Sequence, residues 1–414
     1  MYNTYVLPDG MRVIHLPSSS SVVYCGIAVA AGTRHELPGE EGLAHFCEHL
    51  AFKGTMRRSA VQVINSLEGV GGELNAFTNK EDTVYYCAIL RDYVRRAVDV
   101  LCDIVFHSQY PQQEVEKERE VVCDEIESYE DSPAELIFDD IENILFDGHP
   151  LGHNILGTAD RVRGYQSADA RRFTARHYRP DRCVFFASGD VDFRKLVKWL
   201  EKNQQTQEPH PLPPPSERDV YTSCSENTAT NSNLITRHRG THQAHVIIAA
   251  PAFAATDPRR WSLYLLNNIL GGPGLNSRLS LSLRERRALV YTVESSMVAY
   301  SDTGIWSTYF GCDPADIGRC RRLVHRELQR LMDRPLSDSQ LRAAKRQLQG
   351  QLAISCDSRE QFALDFARNF LHTGMLRDLT DIMRHIDRLT PADLHDTARL
   401  IFPQQQTTTL IYTN

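Results

Sequence analysis

His45, Glu48 and His49 interrupt an otherwise apolar stretch, GLAHFCEHLAF at residues 42–52. On a helix, which turns about 100° per residue, the two histidines fall one turn apart on one face with Glu48 beside them. Burying two imidazoles and an ionised carboxylate among apolar side chains is costly, and one divalent cation compensates all three at once. Neutral imidazoles are ready ligands for zinc, and a carboxylate at their side can take a proton from water that the metal holds. The triplet therefore points to metal-assisted hydrolysis, with its groups in the order His-x-x-Glu-His. Cys47 lies two residues from His45 and points to another face, as a small core residue rather than a ligand.

A tetrahedral catalytic zinc takes three protein ligands and keeps the fourth position open, so a further ligand must come from elsewhere. In the helical segment at residues 114–129, Val115, Val122, Ile126 and Tyr129 recur at helical spacing and define a buried stripe. Glu118 and Glu125 fall inside that stripe. Glu116, Glu120, Asp124 and Glu127 project to the solvated side, with Glu114 at the edge. Two carboxylates on an apolar face need partners: one can coordinate the metal while the other hydrogen-bonds a histidine ligand. Cys123 falls off the stripe and is expected to be partly exposed.

The elements that must carry these groups are also legible. Gly71 and Gly72, ahead of the runs ELNAFT (73–78) and TVYYCAIL (83–90), predict a turn and two strands. A basic segment at 276–291 contains Arg284 and Tyr291, which by residue type alone read as a helix surface and a core tyrosine. Around PHPLPPP (209–215) the chain becomes a polar, semi-rigid spacer, which predicts domains at 1–205 and 233–414 joined by a linker at 206–232.

The two halves look like distant copies. EDSPA (130–134), followed by Asp139, Asn143 and Leu145, aligns at constant shift with CDSRE (356–360), followed by Asp365, Asn369 and Leu371. At that shift Glu118 becomes Ala344 and Glu125 becomes Gln351, so the second copy has lost the stripe acids. VIIAAP (246–251) resembles the strand at 22–32, and the helix after it, WSLYLLNNIL (261–270), has no histidine. Each half reads as α+β: hairpin strands, a motif-bearing helix in the first copy, more strands, then long amphipathic helices.

With these residues in view the chain resembles the M16 peptidases, the inverzincin family of insulysin, pitrilysin and the mitochondrial processing peptidase. That family's signature is H-x-x-E-H followed about 75 residues later by a glutamate, which matches the spacing from His49 to Glu125. LAFKGT (50–55) resembles the processing-peptidase branch. The resemblance implies that His45, His49 and Glu125 hold one zinc ion per chain, that Glu48 is the general base, and that Glu118 is the supporting second glutamate. It implies that Asn75, Ala76, Phe77 and Thr78 form an edge strand that takes up a peptide through main-chain hydrogen bonds. It also implies that Arg284 and Tyr291, seven residues apart, stabilise the oxyanion of a tetrahedral intermediate.

The implied fold is α+β: two homologous α/β sandwich domains in tandem, making half of a clamshell. Such a chain would pair as a homodimer, or as a heterodimer with a related M16 chain. The implied function is zinc-dependent endopeptidase action on extended or unfolded peptides. Two other classes compete with it. A non-catalytic M16-like subunit, binding peptide or acting as a scaffold, is opposed by the intact motif set. A zinc hydrolase of small molecules is opposed by the edge-strand block and the duplication.

The chain's 414 residues suit two domains of about 200 each. A net charge of -7 and a pI near 6.2 offer no basic patch, so neither nucleic acid nor an anionic membrane is expected as a partner. No run approaches the 18 or so apolar residues of a membrane span. The start, MYNTYVLPDGMRVI, passes directly into hairpin-like strands without a basic segment and apolar core, which predicts a cytoplasmic location. Ten cysteines, none in a C-x-x-C pair, read as reduced core thiols.

Overall fold

Strands that are apolar on both faces need cover on both faces, and that requirement organises the chain. The computed structural model describes residues 2–203 and 234–414; the linker expected at 206–232 lies outside the described residues. A first sheet contains β1 (Asn3–Val6), β2 (Arg12–Pro17), β3 (Val22–Val29), β4 (Glu73–Thr78), β5 (Thr83–Leu90) and β6 (Cys183–Gly189), in the order β1-β2-β6-β3-β5-β4. β2 and β6 run parallel and the remaining neighbours antiparallel. Val13, Val23, Cys25, Ile27, Tyr85, Cys87 and Phe185 face a core shared with the motif helix Leu43–Ala51 and the glutamate helix Gln112–Glu130. The alternate residues Ile14, Ala28, Val84, Val184 and Phe186 face the opposite way, against Ala363, Leu364, Phe366 and Ala367 of the helix Arg359–Thr373.

A second sheet repeats the plan. It contains β7 (Leu234–His238), β8 (Ala244–Ala252), β9 (Val290–Ala299), β10 (Gly304–Cys312) and β11 (Thr408–Thr413), in the order β7-β11-β8-β10-β9. This reproduces β2-β6-β3-β5-β4, including the one parallel pair, now β7 with β11. Val246, Ile248, Ala250, Trp306 and Phe310 pack on helices that include Arg260–Gly271, Ile317–Asp333 and Pro391–Ile401. Ile247, Ala249, Ile305, Tyr309 and Leu410 pack on Leu136, Ile137 and Ile141 of the helix Pro133–Leu145.

The compact units consequently differ from the contiguous halves expected at 1–205 and 233–414. One unit comprises the described residues of Met1–Ser128, His153–Arg218 and Ser355–Arg377; the other comprises those of Tyr129–Gly152, Asp219–Ile354 and Asp378–Asn414. The two exchanged segments carry the very stretches that align as internal repeats, 130–145 and 356–371. Each copy's repeat helix covers the sheet built mainly from the other copy. A strand that is apolar along its whole length has two faces to cover, but its sequence does not state which helix arrives.

Candidate metal centre

The motif residues lie on the helix Leu43–Ala51, of which only His49 is not fully buried. The helix starts at Gly42, whose φ is +89°, and a Cβ there would stand 2.5 Å from the Leu156 carbonyl oxygen. Only glycine fits both that conformation and that approach. Gly42 has no side chain to cap the helix, and Glu36 supplies the cap instead. Its carboxylate accepts the N–H of Gly42 at 3.0 Å and of Ala44 at 2.7 Å, and meets His153 Nε2 at 2.8 Å. Burial pushes the Glu36 carboxyl up to about 7 in spite of these three donors. His153 is held in turn, since its carbonyl accepts a hydrogen bond from Lys80 Nζ.

His45, His49 and Glu125 converge, each offering one ligand atom, with all three atoms within 4.8 Å of one another. Glu125 Oε2 lies 3.4 Å from His49 Nε2, and Glu125 Oε1 lies 3.8 Å from His45 Nε2. Tetrahedral bonds of about 2.0–2.2 Å set neighbouring ligand atoms roughly 3.3–3.6 Å apart, so the donor set fits a zinc ion with little adjustment. Its chemistry fits as well: two imidazoles and a carboxylate leave one position for water. Without metal, burial and then the charge of His49 lower His45 to about 4. Burial also lowers His49, but hydrogen bonds to Glu118 and Glu125 outweigh it and lift that imidazole to about 9. His45 Nδ1 is buried and meets no hydrogen-bond partner among the described residues.

The two stripe glutamates separate by role. Glu118 Oε1 meets His49 Nδ1 at 2.9 Å, and Glu118 Oε2 pairs with Lys53 Nζ at 2.6 Å. Burial raises the Glu118 carboxyl, but His49 and Lys53 together bring it below the ordinary value. Glu118 thus fixes the His49 ring while Glu125 faces the imidazole nitrogens of His45 and His49. Helical spacing placed both in the buried stripe, and for Glu125 this needs correction: its side chain is 44 % exposed against 6 % for Glu118. Cys123 is corrected in the opposite direction, being buried with its Sγ against the Ala159 carbonyl. Lys53, four residues beyond His49, stands out in the sequence only as part of the flanking block LAFKGT. Glu36 and His153 left no signal at all, because their partners are distant in the chain or are backbone amides.

Glu48 is buried beside this cluster and accepts a hydrogen bond from Thr78 Oγ1 at 2.7 Å. Burial raises its carboxyl above the ordinary value, opposed by Thr78. Thr78 ends β4, the last strand of its sheet, which among the described residues pairs with β5 on one side only. Pleating divides the four expected peptide-strand residues. Ala76 and Thr78 turn to the motif-helix side, whereas Asn75 is exposed and Phe77 packs on the opposite face against Tyr86. Arg284 and Tyr291 belong to the other unit. Arg284 lies in the short π-helical segment Ser280–Glu285, half exposed and 3.6 Å from Glu285. Tyr291 is on the edge strand β9 and is 87 % exposed, so it is not the core tyrosine that its residue type suggested.

Comparisons with known proteins concern the chain as a whole. Residues 12–159 match the family "Insulinase (Peptidase family M16)" and residues 165–348 match "Peptidase M16 inactive domain". An uncharacterized zinc protease of Streptomyces coelicolor is 34 % identical over 98 % of this chain and 88 % of its own length. The mitochondrial-processing peptidase subunit beta of Saccharomyces cerevisiae is 29 % identical over 94 % of this chain and 86 % of its own length. A protease of Helicobacter pylori of known structure shares the fold with a TM-score of 0.90 across 100 % of both chains, at 21 % identity.

Proposed function

Since the chain belongs to peptidase family M16, whose relatives are named zinc proteases, we propose that it is a zinc-dependent endopeptidase acting on extended or unfolded peptides. The observation that carries this reading is the grouping of His45, His49 and Glu125 with Glu48 beside an unpaired strand edge. His45, His49 and Glu125 would hold a zinc ion, which would supply the Lewis acidity that activates water near neutral pH. Glu48, buried beside these residues, would take a proton from the water that attacks the scissile carbonyl and return it to the leaving amine as the carbon–nitrogen bond breaks. Glu118 and Lys53 keep the His49 ring from turning. The free edge of β4 pairs with the peptide main chain, which aligns the substrate largely regardless of its side chains. Arg284 and Tyr291 are the donors assigned to the oxyanion. Two such chains would pair around one chamber as a homodimer, a state that light scattering on the purified chain measures directly.

The test is zinc content and cleavage of a fluorogenic unstructured peptide by the wild type, Glu48→Gln and Glu125→Gln. Zinc retained with activity lost is the outcome expected for Glu48→Gln, and weakened zinc binding for Glu125→Gln. Full activity in Glu48→Gln refutes the mechanism. The alternative, a non-catalytic M16-like subunit that binds peptide, draws on the inactive-domain match at 165–348. It predicts peptide binding without cleavage by the zinc-loaded wild type, alone or mixed with a related M16 chain.

A further inference from the structure

Thr78 does something different from the peptide contact that its strand suggests. Its side chain is buried, turned away from the open edge of β4, and its hydroxyl lies 2.7 Å from Glu48 Oε2. The hydroxyl has one proton to give. Thr83, opposite Thr78 in the ladder, approaches within 3.3 Å, but its own hydroxyl donates to the Ala31 carbonyl at 2.9 Å. The direction of the Thr78 bond is therefore set, with Thr78 donating and Glu48 accepting. Glu48 Oε1 accepts no hydrogen bond among the described residues.

The geometry points to Thr78 as the positioning residue of the general base: its hydroxyl occupies Oε2 and so presents Oε1 for proton transfer. This rests on the peptidase reading of the same site. The bond to Oε2 survives proton uptake at Oε1, because Thr78 needs only a lone pair on its partner before and after the transfer. A carboxylate that loses this donor gains a free rotation about its last torsion, which is broad and two-fold by nature. One strand then has two tasks. Its main-chain edge is available to a peptide, while the side chain at its end orients the group that acts on that peptide, so the second task affects turnover and not binding.

The test compares full-length zinc-loaded wild type, Thr78→Val, Thr78→Ser and Glu48→Gln on a fluorogenic unstructured peptide. Valine removes the hydroxyl at nearly constant volume, and serine keeps it. Thr78→Val is expected to lower kcat about 10–100-fold with KM within about twofold, while Thr78→Ser retains at least roughly a third of the wild-type kcat. Zinc content is expected to match wild type in both variants, with thermal midpoints within about 5 °C. A crystal structure of zinc-free Thr78→Val is expected to show the Glu48 carboxylate turned from its wild-type orientation. The proposal is overturned by wild-type kcat in Thr78→Val, by equal losses in the two variants, by a loss confined to KM, or by loss of zinc or of the midpoint in Thr78→Val. A wild type that cleaves nothing overturns the peptidase reading and this proposal with it. A cleaving wild type beside an unaffected Thr78→Val overturns this proposal alone.

Discussion

Replacing Asp82 with asparagine probes how the β4–β5 turn, and so the strand beside the metal centre, is anchored. Asp82 is fully buried and collects four hydrogen bonds. Arg368 Nε reaches Oδ1 at 3.0 Å and Oδ2 at 3.1 Å, His372 Nε2 lies 2.8 Å from Oδ2, and Asn79 Nδ2 lies 2.8 Å from Oδ1. Burial alone would raise this carboxyl, but His372, Arg368 and Asn79 outweigh it and hold it at about 2, below the ordinary 3.8. At about 1.4 kcal/mol per pH unit, the difference corresponds to roughly 2 kcal/mol of stability once the partial exposure of Arg368 is discounted. The folded value lies below the unfolded one. The contribution is therefore complete above about pH 4 and is lost as the pH falls through about 2.

Asp82→Asn should accordingly be about 2 kcal/mol less stable than wild type at pH 7, with the gap narrowing by at least half at pH 2. Urea unfolding followed by circular dichroism, with chelator present for both proteins, measures that gap while effects of other titrating groups cancel. A gap below about 0.5 kcal/mol at pH 7, or one that persists unchanged at pH 2, refutes the assignment of Asp82 as an ionised anchor. Arg368 and His372 lie on the exchanged helix Arg359–Thr373, so the same measurement tests whether that helix holds the turn.

Other consequences follow from the packing and the metal ligands. Glu118→Gln keeps an acceptor for His49 but sets an uncharged amide against Lys53, and should weaken zinc binding about 10–100-fold in a competition titration with a chromogenic chelator; affinity within twofold of wild type contradicts the role given to Glu118. Phe366→Ala empties a fully buried site against Phe186, whose ring centroid is 6.3 Å away, and should cost about 3–5 kcal/mol in chemical denaturation. Removing zinc should lower the thermal midpoint, because metal at 100 times its Kd adds about 2.7 kcal/mol to the folded state; equal midpoints with and without chelator speak against a bound ion. Tyr291→Phe should reduce kcat by about 10²-fold with little change in midpoint, since this hydroxyl is exposed and supports no packing.

Much of the site was readable because its chemistry conflicts with its surroundings. Two histidines and a glutamate in an apolar helix, and glutamates in an apolar stripe, are each anomalies that only a partner can resolve, and anomalies of that kind are local in sequence. The repeat was readable as well: the constant shift between 130–145 and 356–371 identified the two helices that exchange, though not the exchange itself. Burial at Glu125 and Cys123 was misjudged for one reason. A helical wheel gives the angle of a side chain and says nothing of where along the helix its neighbour ends.

By itself, the sequence determined the candidate ligand types, their helical spacing, the strand periodicity and the duplication, because each is a pattern within a few turns or within one repeat. Only the tertiary structure decided that Glu125 joins the histidines while Glu118 backs one of them, that Glu36 caps the motif helix, and that Thr78 reaches Glu48. It also decided that each sheet takes the helix on one of its two faces from the other half of the chain. Those are choices among partners far apart in sequence, and they are settled by which buried surfaces and charges are satisfied together.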